Sequence, residues 1–142
     1  MDKSMEMAQC AARWWADKLR SRPMHDNGDP ASGPAMVLAD MLAMRNVPEA
    51  AQIDQFEKVL SEMLHFDIEK GWYHQISIGC DYGPCAVLGN AAEAAGIDSS
   101  VFPFKVHMLI AVEEKAVYVQ DGYGAPRVQI YPQAQDEGGA NG

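Results

Sequence analysis

Basic residues are scarce in this chain: 11 Lys and Arg stand against 20 Asp and Glu, a net charge of -9. An acidic surface repels phosphate instead of releasing its counterions, so direct binding to nucleic acid is not expected. The acids do not form the dense, evenly spaced rows that a DNA mimic needs. Cysteine is scarce too, and its count of three is odd. No apolar run is long enough to cross a bilayer or to form the core of a signal peptide. Together these absences point to a protein of the reducing cytoplasm with no disulfide framework and no membrane attachment. A cofactor fingerprint, a specific metal-ligand cluster and a complete catalytic constellation are all missing, so no cofactor is expected.

What is present is one domain's worth of apolar residues. With 142 residues and 48% apolar content, the chain is long enough to bury roughly two-thirds of its unfolded surface in a single core. Residues 1–132 read as that domain and residues 133–142, which are nearly devoid of apolar side chains, as a flexible tail. Ser4 to Arg22 lacks Gly and Pro, and Ala8, Ala11, Ala12, Trp15 and Leu19 recur at helical spacing. Trp14 and Trp15, being adjacent, point about 100° apart on such a helix and are not both central to one interface; either one is exposed as a partner anchor beside Arg13 and Lys18, or both lie on a wide stripe buried by two neighbouring helices. A turn-rich segment over 23–33 follows. His25-Asp26-Asn27-Gly28-Asp29 within it lacks the acid spacing of a calcium loop and reads as Asx-turn chemistry. Pro34 to Arg45 reads as a second helix. Glu49 to Lys70 reads as a third, with Ile53, Phe56, Leu60, Met63, Leu64 and Ile68 on one stripe.

Beyond Gly71 the period changes from near four to two. Tyr73 to Gly79 alternates as a half-buried strand. Pro84 then opens a short helix over Cys85 to Ala95, closed by Gly96 with Ile97 as its hydrophobic follower. Lys105 to Val112 alternates most clearly, Glu113-Glu114-Lys115 turns, Val117 to Gln120 returns, and Arg127 to Tyr131 adds a further strand. The expected fold class is α+β: a three-helix N-terminal layer packed on a small antiparallel sheet of three to four strands, with one inserted helix.

Two turns repeat one device, Asp81-Tyr82-Gly83-Pro84 and Asp121-Gly122-Tyr123-Gly124-Ala125-Pro126, each directly after a strand. If both lie on one rim, Asp81, Tyr82, Asp121, Tyr123 and Arg127 gather there, with Lys105 and His107 on the side of their strand opposite Val106 and Met108. Tyr and Arg in such a group stack on and clamp a planar or anionic ligand; two tyrosine corners that merely stabilise turns leave the same trace. Cys85, in the first turn of a helix, is a candidate nucleophile with His74 or His107 as base. Against this stands the common fate of a free thiol, burial as a small apolar group. Cys80 and Cys85 have the spacing of half a zinc site, but no second half exists. Phe102 and Phe104 flank Pro103 as either a partner-binding wedge or a core plug, with one ring expected in the core and the other exposed.

The order of these pieces, from Ala11-Ala12-Arg13-Trp14-Trp15 through Asn27-Gly28-Asp29, Asp81-Tyr82-Gly83-Pro84 and Phe102-Pro103-Phe104-Lys105 to Gly122-Tyr123-Gly124-Ala125-Pro126, resembles small proteins encoded by phages and prophages. No functional residue is carried over from that group. The resemblance implies a setting, in which small acidic proteins bind and block a host component, including defence systems. The expected function is therefore a non-enzymatic, anti-CRISPR-like or other anti-defence inhibitor in the host cytoplasm. Its partner would be a host protein with a basic surface or a small anionic, nucleotide-like ligand. The alternatives are a cysteine-dependent hydrolase or transferase using Cys85, and a structural or self-assembling component, including a homodimer, driven by an exposed Trp14 or Phe102 patch.

Overall fold

The computed structural model describes residues 3–21, 47–71, 73–81, 83–103, 105–122 and 124–132. The expected loop over 23–33, the helix over 34–45 and the tail over 133–142 lie outside the described residues. So do positions 82, 104 and 123. The fold is α+β.

Helix α1 (Lys3–Arg20) buries Met7, Ala8, Ala11, Ala12, Trp15, Ala16 and Leu19, a stripe at three- and four-residue spacing. Glu6 in its first turn and Lys18 and Arg20 in its last complement the helix dipole. Helix α2 (Ala50–Lys70) packs along α1 and buries Ile53, Phe56, Leu60, Leu64 and Ile68. Its start is fixed by a reciprocal pair, in which the Glu49 N–H donates to the Gln52 side chain at 2.8 Å while the Glu49 side chain accepts from the backbone of Gln52.

The sheet follows as a meander, β1 (Gln75–Cys80), β2 (Val106–Ala111), β3 (Ala116–Asp121) and β4 (Val128–Tyr131), antiparallel throughout and in spatial order of sequence. Between β1 and β2 the chain leaves the sheet for helix α3 (Ala86–Ala95) and a 3-10 turn over Ser99–Val101. Helix α3 ends as the sequence suggests: Gly96 takes φ 74 and the N–H of buried Ile97 donates back to the Ala92 carbonyl at 2.9 Å.

One face of the sheet carries Ile76, Ile78, Cys80, Val106, Met108, Ile110, Val117 and Val119, all buried with the helices. Trp15 lies in this core and is fully buried; its neighbour Trp14 is half-buried, edge-on to it with ring centroids 5.1 Å apart. Phe102 is 1% exposed and packs against Phe56 at 5.7 Å, so the exposed Phe102 patch expected of a self-assembling component does not exist. Among the described residues no helix is long and apolar enough to cross a membrane.

Candidate functional site

The two turns share one end of the sheet. Cys80 pairs with Val106 and Val106 with Asp121, so the chain leaves β1 at Asp81 and β3 at Asp121 on either side of the start of β2. Lys105 laces them together: its N–H donates to the Asp81 carbonyl at 3.0 Å and its own carbonyl accepts from the Gly122 N–H at 2.9 Å.

Sharing an end is not sharing a face. Side chains alternate along a strand, so Ile76, Ile78 and Cys80 turn inward and Asp81 outward, whereas Val117, Val119 and Asp121 all turn toward the helices. There the Asp121 carboxylate pairs with Lys18 of α1. Lys105 also departs from expectation. It does not project beside His107 but is 4% exposed, because its left-handed backbone, φ 62, breaks the alternation just before β2 begins. Tyr82 and Tyr123 lie outside the described residues.

The outer face holds a row of residues that cross the sheet on successive strands. Gly79 pairs with His107, and His107 with Gln120. The β3–β4 register ends at the Val119–Val128 pair, and the next residue on each side, Gln120 and Arg127, both line the same concavity. On the far side of Gly79, Cys80 bridges to Pro84 and the Cys85 N–H donates to the Gly79 carbonyl at 2.9 Å, which extends the row to Cys85. These residues line an open concavity of 330 Å³ together with Asp81, Leu109 and Tyr118.

Two contacts organise it. His107 Nε2 lies 3.0 Å from Asp81 Oδ1. The Arg127 guanidinium lies over the Tyr118 ring, 5.9 Å from its centroid. Loss of water contact, and then the Glu114 carboxylate 3.3 Å away, raise the Tyr118 phenol above its ordinary pKa. Of the residues expected at the rim, Asp81, His107 and Arg127 therefore come together, while Lys105 and Asp121 do not join them. Tyr118 and Gln120 were not foreseen, although strand alternation with inward Val117 and Val119 assigns both to this face.

The thiols divide by environment. Burial foremost, then Cys85 and Asp81 nearby, push Cys80 up to about 12, which leaves it a protonated core group. Cys85 is half-buried at the N-cap of α3 and shares the concavity with His107. His74 cannot serve it: it pairs with Glu113 at the opposite end of β1, and six residues of strand span roughly 20 Å. Among the described residues no group of three or more His, Cys, Asp or Glu could hold a metal ion.

A larger cleft of 950 Å³ opens between α1, α2 and β4. Its acids are already committed, Glu57 and Asp54 to Arg20, Glu57 also to Arg13, and Glu6 to the Tyr131 hydroxyl. The outer face of the sheet is thus the better candidate. No protein-family model matches the chain, and no curated protein matches it in sequence.

Proposed function

We propose that this chain is a non-enzymatic binding protein of the phage type that acts in the cytoplasm against a host defence component by sequestering a small ligand on the outer face of its sheet. The observation that carries this reading is that Asp81, His107 and Arg127 line one concavity with Tyr118. Convergent polar groups over a partly apolar floor are what a small-ligand site needs. Blocking a basic protein surface is less favoured, since one of the two turn acids that would meet it, Asp121, is already paired with Lys18. The phage setting rests on the resemblance of the motifs alone. The test is to purify the protein under native conditions from infected or defence-active cells, denature it, and identify small molecules released in stoichiometric amount. Release from the wild type but not from Arg127→Gln supports the reading; a stoichiometric protein partner with no small molecule refutes it.

A second reading, a cysteine-dependent transferase or hydrolase, is favoured by Cys85 and His107 lining the same concavity. It requires a thiol that is reactive in the folded protein and slowed by loss of His107.

A further inference from the structure

The kind of ligand follows from how the outer-face row is furnished, an inference that rests on the sequestering reading above. Three arginines lie among the described residues, and two are held by carboxylates: Arg13 by Glu57 at 3.5 Å, and Arg20 by Asp17, Asp54 and Glu57 at 2.7, 3.0 and 2.8 Å. Arg127 has no carboxylate partner among the described residues. In a chain of net charge -9, acids to pair with it are plentiful, yet the exposed guanidinium lies over the Tyr118 ring. A planar guanidinium presented in this way binds phosphate or carboxylate in a fork and leaves a ring face beside it.

The opposite end has the opposite chemistry. The Asp81 side chain is 62% exposed, and an ionised carboxylate only accepts hydrogen bonds, from several donors at once. Between the ends the floor is low and flat. Gly79 offers no side chain, the His107 ring lies across it, and half-buried Leu109 and Tyr118 continue the surface. From Gly79 to Arg127 the row makes three inter-strand steps of about 4.8 Å each, and the concavity of 330 Å³ lies near the small end of the roughly 300–1,000 Å³ range of ligand sites. That length and volume suit one planar ring system and one anionic group and are too small for two separate ring systems joined by a bridging phosphate.

We propose that the outer face takes a single planar ring system, monocyclic or fused, carrying one phosphate or carboxylate either directly or through one sugar. The anion sits on the Arg127 guanidinium, the ring lies against Tyr118 and His107, and a hydrogen-bond-donating edge faces Asp81.

The experiment is a titration of the isotope-labelled protein, read by backbone amide shifts and by calorimetry. Adenosine 5′-monophosphate serves as the ring with phosphate and orotate as the ring with carboxylate; adenosine and inorganic phosphate are the halves of the first, and uracil and acetate stand for the halves of the second. At least one of the two ring anions is expected to shift the amides of Gly79, His107 and Gln120 and to bind at least about tenfold tighter than either half. Arg127→Gln removes about tenfold or more of that affinity. The two ring anions separate the phosphate source from the carboxylate source. If adenosine shifts these amides as well as the ring anions do, or Arg127→Gln leaves affinity unchanged, the anion assignment is overturned while the ligand site stands. If no probe of any charge shifts them and nothing copurifies, the site itself is refuted.

Discussion

The imidazole of His107 lies across the α-carbon of Gly79, so closely that a methyl group at position 79 would meet its Cδ2 at 2.6 Å and the Val106 carbonyl oxygen at 2.9 Å. The glycine is what lets His107 lean over β1 toward Asp81. Gly79→Ala is expected to cost about 1–3 kcal/mol in chemical denaturation, the usual range for overpacking, and to break the His107–Asp81 contact. Adding His107→Ala should recover only part of the loss, since the clash with the Val106 backbone remains. Full recovery would show that the ring alone sets the constraint.

The two turn aspartates are expected to behave differently. Asp121→Asn loses a partly exposed ion pair with Lys18, worth about 0–1 kcal/mol and weakened by salt, and leaves ligand binding unchanged. Asp81→Asn removes the anionic partner of His107 and weakens ligand binding. Parallel denaturation and calorimetry on the two variants would check this, and equal effects on binding would argue for a single shared acidic rim.

Alkaline pH should destabilise the protein in two steps. The Cys80 thiol has its pKa raised from 9.0 to about 12 by burial foremost, and the Tyr131 phenol from 10.0 to about 12 by burial and then by its hydrogen bond to Glu6. Both groups lose their proton more easily in the unfolded chain, so the unfolded state binds fewer protons and stability falls as pH rises. The contribution is complete below about pH 9 for Cys80 and about pH 10 for Tyr131, and is lost as pH passes about 12. Melting temperature followed from about pH 8 upward should decline less above about pH 10 in Tyr131→Phe. In Cys80→Ala the decline should begin later.

Alkylation separates the thiols. With iodoacetamide at about pH 8, half-buried Cys85 is expected to label first and fully buried Cys80 only on unfolding, with half-buried Cys10, whose thiol is raised by burial and donates to the Ile130 carbonyl at 3.5 Å, labelling between them. If His107→Ala leaves the Cys85 rate within about twofold, His107 is not its base. A drop of about tenfold or more supports the cysteine-dependent reading instead.

Much of the architecture is legible in the sequence because its signals are local. The stripe of Ile53, Phe56, Leu60 and Leu64 identifies α2, and Gly96 with Ile97 marks the end of α3. The site is less legible because it depends on register and parity. Reading the return strand as Val117 to Gln120 stops one residue short; β3 runs through Asp121, and counting on from Val117 and Val119 sends that side chain inward. The same count brings Tyr118 and Gln120 outward. Lys105 could not have been found this way. Nothing in Phe-Lys-Val demands a positive φ, and its conformation is set by backbone hydrogen bonds to two turns distant in sequence. Gly79 reads as a weak strand residue until pairing with His107 gives it a purpose.

The double hydrogen bond of Lys105 has one more consequence. Because a single residue holds both the Asp81 and the Gly122 backbone, a pull on one turn is carried to the other, next to Asp121. Asp121 grips Lys18, whose ammonium stands 5.2 Å from the centre of the Trp14 indole. An intrinsic fluorophore thus sits at the end of a short mechanical linkage that begins beside the outer concavity, and its emission offers an optical view of that side from behind the sheet.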